Sequence, residues 1–140
     1  MENKRKKTII AQTLISVVVF VNLQSAIAFL LYPDTYSPGF ELQGIPGRVA
    51  ILGIAILFIM WNVPYLFALW KPAQNRTSLY ESILMQLIGV IGETWILLQI
   101  PEGFSTLSGS IFRFITFDFL GLILLILAAW ITNHKRLEKH

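Results

Sequence analysis

Four apolar stretches in this chain are each long enough to cross a bilayer, which takes about 20 helical residues. They cover residues 8–31, 49–70, 79–100 and 111–132. Together they use about 90 residues, roughly two thirds of the chain. Two tails and three short connections remain, and no soluble domain fits in those pieces. The expected fold is all-α: a polytopic membrane protein, a four-transmembrane-helix bundle with short loops, built as one domain over 1–140. Composition agrees. Charged residues make up 14%, against roughly 25% in a soluble domain.

The span ends carry breakers. Tyr32-Pro33-Asp34 stops the first span, because proline lacks an N–H and disfavours helix in the residue before it. Pro46-Gly47 opens the second and Lys71-Pro72 closes it. Ser78 with Glu81 three residues later reads as a capping box for the third, which Pro101 ends. Ser108 or Ser110 is the expected cap of the fourth. The connection from Tyr32 to Gly47, rich in proline, glycine and aromatics, reads as an ordered, turn-rich cap over one mouth of the bundle.

Basic residues near span ends set orientation. An even number of spans puts Lys4, Arg5, Lys6, Lys7, Lys71, Arg76, Lys135, Arg136 and Lys139 on one side. Only Arg48 and Arg113 belong to the other. Both termini are therefore expected in the cytoplasm of a cell-membrane protein. Trp70, Tyr80 and Trp130 then fall at the inner interface, and Tyr32, Tyr36, Trp95 and Phe104 at the outer one. The net charge of +3 thus reflects topology, and no nucleic-acid partner is expected. The lysine run before an apolar stretch, with Ala26-Ile27-Ala28 beyond it, has the outline of a cleavable leader. The apolar run continues through Phe29-Leu30-Leu31, so an uncleaved span is expected. The sequon Asn75-Arg76-Thr77 lies on the expected cytoplasmic side and should be unused.

Ionisable groups inside a membrane are expensive and mark function by default. Glu93 lies in the third span and Asp118 in the fourth, each expected roughly 10–12 Å from the outer span end. Arg113, Arg48, Asn22 and Gln24 belong to the same outer half. Ser82, Gln86, Gly89 and Glu93 recur at intervals of 4, 3 and 4, which is one helix face. Phe114, Asp118, Gly121 and Leu125 share a face of the fourth span. Arg113 and Asp118 are about 140° apart round the helix, so the expected pairs cross between helices: Glu93 or Asp118 with Arg48 or Arg113. Such pairs would be structural glue. An outward-opening polar cavity using the same residues is the alternative. Asn62 and Pro64 mark an expected kink in the second span, with the carbonyl near Met60 freed.

Several chemistries have no residues to run on. Cysteine is absent, and both histidines, His134 and His140, fall outside the spans. That excludes thiol redox chemistry and a bis-histidine haem between helices. The chain has no phosphate-binding glycine loop, no H-E-x-x-H and no G-x-S-x-G. No cofactor, metal site or catalytic residue is expected. Small multidrug transporters share the length and span count, but their functional glutamate lies in the first span, which here has no acid. Leu31-Tyr32-Pro33, Gly47-Arg48 and Gly53 resemble the DoxX-like group, where a first span ends near a proline and a Gly-Arg pair opens the second. The resemblance implies a four-span membrane protein and assigns no residue a role. The leading expectation is a non-enzymatic accessory, assembly or homo-oligomeric subunit whose partners are the bilayer and another membrane protein. The alternative is a small-molecule or proton-coupled carrier or sensor built on Glu93 and Asp118.

Overall fold

The structure, a computed structural model, describes residues 2–133. His134, Lys135, Arg136, Lys139 and His140 lie outside the described residues. Four long helices dominate: α1 (Glu2–Leu31), α3 (Gly44–Trp70), α4 (Arg76–Gln99) and α5 (Ser105–Asn133). Between the first two lie a single-turn α2 (Pro33–Tyr36) and a 3-10 turn, Ser37–Phe40. All four long helices are apolar enough to span a membrane, which makes this a multi-pass membrane protein.

The helices end within a residue of the expected positions but begin three to six residues earlier. Sequence boundaries followed the apolar run, whereas hydrogen bonding carries the helix on through polar residues into the interface. Pro46 sits in the first turn of α3, where its missing N–H has no helical partner to lose. Ser78 does not cap α4. The helix starts two residues earlier, and the Ser78 carbonyl accepts a bond from Ser82 Oγ at 2.8 Å. Neither Ser108 nor Ser110 caps α5, which already begins at Ser105. Its first turn is held instead by Glu41, whose carboxylate accepts from the Leu107 N–H at 3.2 Å.

Each long helix packs on two others. α1 touches α3 and α5, and α4 touches the same two, so α1/α4 and α3/α5 are the diagonals of a square. Of the four seams, α3–α4 is the least extensively packed. The core has two parts. Toward the basic end, Ile15, Val18, Tyr65, Leu79 and Leu125 pack together with alanines. At the other end Phe29, Ile51 and Ala55 form a smaller cluster, packed by Phe40, Phe58 and Phe114. Phe40 reaches in from the 3-10 turn and stacks on Phe114 at 5.7 Å, while Phe29 meets Phe58 at 6.1 Å. The expected cap is therefore present, but it is helical rather than a string of turns. Its aromatic side chains plug the bundle end.

Exposed aromatics ring both ends: Trp70, Tyr80 and Trp130 at the basic end, Tyr32, Trp95 and Phe104 at the cap end. Apolar bodies with polar tips suit the two membrane interfaces. Gln12 of α1 ties down α3 by donating to the carbonyls of Leu69 and Trp70 at 3.1 and 3.2 Å, two groups at a helix end with no intrahelical partner. Glu41 does the same service for α5, and its loss has a defined cost. Glu41→Ala should lower stability by about 1 kcal/mol, the usual worth of an N-terminal cap. Reversible unfolding in mixed micelles measures this, with the exposed Glu102→Ala as the control expected to be silent.

Candidate functional site

The polar residues of the four spans do not form one cluster. Arg48 lies in the first turns of α3, where that helix meets α2, and it pairs with Asp34. Arg113 donates through Nη2 to Ser110 Oγ at 2.8 Å, and Ser110 Oγ in turn donates to the Gly39 carbonyl. In place of the expected pairs with Glu93 or Asp118, Arg48 takes an acid of the cap and Arg113 takes a hydroxyl of its own helix. The reason is geometric. The start of α3 packs beside α2, whose Asp34 takes Arg48, and Arg113 lies about 140° round α5 from Asp118. Gln24 is exposed. It lies two residues from Asn22, about 200° round the helix, and only Asn22 points into the bundle's cavity.

Asn22, Glu93 and Asp118 do converge. They line a cavity of about 370 Å³ enclosed by all four long helices. Phe58, Trp61 and Tyr65 of α3 form one wall. Gln86, Gly89, Gly92 and Glu93 of α4 form another, so the inward face read from the sequence is the face that lines it. Asp118 lies farther from the start of its helix than from the start of the apolar run. It stands thirteen residues into α5, about 20 Å along the helix, because α5 starts earlier than its apolar run. Glu93 is six residues from the end of α4, about 9 Å.

Two side chains join Asp118 into a line across the bundle. The Tyr65 hydroxyl donates to Gln86 Oε1 at 2.5 Å, and Gln86 Nε2 donates to Asp118 Oδ1 at 2.9 Å. Tyr65 and Gln86 are buried. An amide hands no proton onward, so this line positions Asp118 and is not a proton wire. Two glycines make it fit. The Asp118 carboxylate occupies the place where a Cβ on Gly89 would be, and a Cβ on Gly121 would lie 2.6 Å from Gln86 Nε2. Each helix thus offers a glycine hole for the other's polar side chain. Small residues at contacts are how membrane helices approach closely.

Glu93 is different. Its Oε2 is buried and accepts no hydrogen bond. Among the described residues no lysine or arginine lines the cavity. Two carboxylates that share a low-dielectric cavity repel when both are ionised, and a cation, a proton or a hydrogen-bond donor relieves that repulsion. Among the described residues no group of three metal-ligating side chains converges.

The exposed part of the cavity's lining lies on the side of the bundle. Phe58 both lines the cavity and belongs to the aromatic plug beneath the cap. Toward the basic end Tyr65 joins the cavity to the larger core cluster. The residues at its edge that are exposed, Trp61, Ile88 and Ile96, belong to α3 and α4 and face lipid. A second cleft of about 510 Å³ runs along the same seam past Pro64 and Phe67, sharing Met85 and Ile88 with the first. The mouth is lateral. α3 continues unbroken through Pro64, and Asn62 Nδ2 donates to the Phe58 carbonyl at 2.7 Å.

Sequence reasoning placed Gln86, Gly89 and Gly121 on shared helix faces with Glu93 and Asp118 but gave them no role, and it did not single out Tyr65. The spacing that put Gln86 and Gly89 on one face with Glu93 was the available signal. Comparisons with family models, with curated proteins and with solved structures return no match for this chain.

Proposed function

We propose that this membrane protein is a small carrier or sensor that binds a small molecule or a proton at Glu93 and Asp118. The observation that carries this reading is the Glu93 carboxylate: one oxygen is buried without a partner, on a cavity wall that holds a second carboxylate and no basic residue. The structural-glue reading of the intramembrane charges needed the arginines as countercharges, and Arg48 pairs with Asp34 while Arg113 donates to Ser110. Carboxylates left without a countercharge inside a membrane are typical of ion and substrate pathways. The lysines and arginines at one end support an orientation with that end cytoplasmic, in the cell membrane.

A hydrophobic carbodiimide tests this reading, because it reaches carboxyl groups from the bilayer and leaves a covalent acylurea. Applied to the full chain in lipid nanodiscs, dicyclohexylcarbodiimide should modify Glu93 in preference to Asp34, Glu41 and Glu102, as located by mass spectrometry. Glu93→Gln should remove that label. Equal labelling of Glu93 and the exposed acids would count against a distinct intramembrane site.

A further inference from the structure

We propose that the cavity takes a monovalent organic cation with an apolar body, and that it arrives sideways from the bilayer through the α3–α4 seam. This rests on the ligand-site reading of Glu93 and Asp118 and adds the class of ligand and its route.

The route follows from what is closed. Toward the cap end the rings of Phe29, Phe40, Phe58 and Phe114 pack between this cavity and a separate pocket of about 430 Å³ beneath the cap. The basic end is sealed by the alanine-rich core around Tyr65. The α3–α4 seam is the loosest, and α4 presents Gly92 to it with nothing within 4 Å of a Cβ position. A solute using that mouth must first dissolve in lipid, which selects an apolar body.

The charge follows from what is missing. The two carboxylates of the cavity face no lysine or arginine there, so a bound cation supplies the countercharge. In a low-dielectric site that attraction is far stronger than in water. The aromatic side chains of Trp61 and Phe58 in the lining are of the kind that attracts organic cations. Met85, which lines both this cavity and the neighbouring cleft, adapts to irregular apolar shapes. A volume of about 370 Å³ lies within the range of small-molecule pockets.

A pair of ions of the same shape and opposite charge decides the matter. Tetraphenylphosphonium and tetraphenylborate are to be tested by equilibrium dialysis against the protein in nanodiscs, with empty nanodiscs subtracted. The cation should bind saturably, one per chain, and the anion should not. Glu93→Gln breaks no hydrogen bond and keeps the fold; it should weaken cation binding at least tenfold. Glu102→Gln, outside the cavity, should leave it unchanged. Ile88→Trp, which narrows the mouth, should slow uptake of the cation. Tetramethylammonium, which has the charge without the apolar body, should bind at least tenfold more weakly. Equal binding of the two tetraphenyl ions, or wild-type binding by Glu93→Gln, would overturn the assignment. Carbodiimide labelling of Glu93 without any cation binding would also overturn it, and would leave the intramembrane site itself standing.

Discussion

Alanine at position 89 is expected to unlock α4 from α5. Its Cβ would occupy the space of the Asp118 carboxylate, with Asp118 Cγ 3.0 Å away. Aspartate has a short side chain, so the carboxylate escapes only by rotating about its first bond. Rotation gives up the 2.9 Å bond from Gln86. Gln86 has little freedom to follow, because its amide already fills the space over Gly121. The opposing effect is helix propensity, where Gly→Ala gains up to about 1 kcal/mol. Overpacking costs about 1–3 kcal/mol, and an interhelical hydrogen bond in a bilayer is worth about 0.6 to 1.7. The losses win, and a net destabilisation of about 1–3 kcal/mol is expected. Gly92→Ala is the matched control. It sits one turn away on the same helix with open space at its Cβ, so it should be neutral or slightly stabilising. Unfolding of both variants in bicelles separates them, and equal stabilities would refute the interlock.

The four helices were legible because a span leaves a signature in one dimension. About 20 apolar residues between breakers have few other fates, and the breakers Pro33, Pro72 and Pro101 stop helices where expected. Starts were less legible than stops. A proline or a Gly-containing turn halts a helix locally, whereas the start of α5 depends on Glu41, 66 positions away. The inward face of α4 could be read from spacing, so Glu93 and Gln86 were found. Their partners could not. Which helices neighbour each other is a property of the square arrangement, and no spacing in the sequence encodes it. Arg48 was therefore not matched to Asp34, nor Arg113 to Ser110. Gly89 and Gly121 read as ordinary small residues until Asp118 and Gln86 are seen lying over them.

Leucine at position 86 is expected to have the second large effect, and its repair separates structure from function. Gln86→Leu keeps the volume and removes both bonds of the line at once. The Tyr65 hydroxyl and Asp118 Oδ1 are left at mid-bundle without the partner they share. An unsatisfied buried group costs about 1–3 kcal/mol in general, but membrane hydrogen bonds average nearer 0.6. A loss of about 1–3 kcal/mol for the pair covers both scales. If that loss reflects stranded polar groups, removing them should return most of it, since polar networks replaced whole by apolar residues are often neutral. The triple variant Tyr65→Phe, Gln86→Leu, Asp118→Ala should thus unfold close to wild type, while its binding of tetraphenylphosphonium falls with the loss of one carboxylate. The three residues touch one another, so their effects are not additive and the full set of single and double variants is needed. A triple variant less stable than Gln86→Leu alone would mean the line exists to hold the helices. A stable triple variant that no longer binds would mean that the fold does not need a polar centre there, and that Asp118 is held over Gly89 for what enters the cavity.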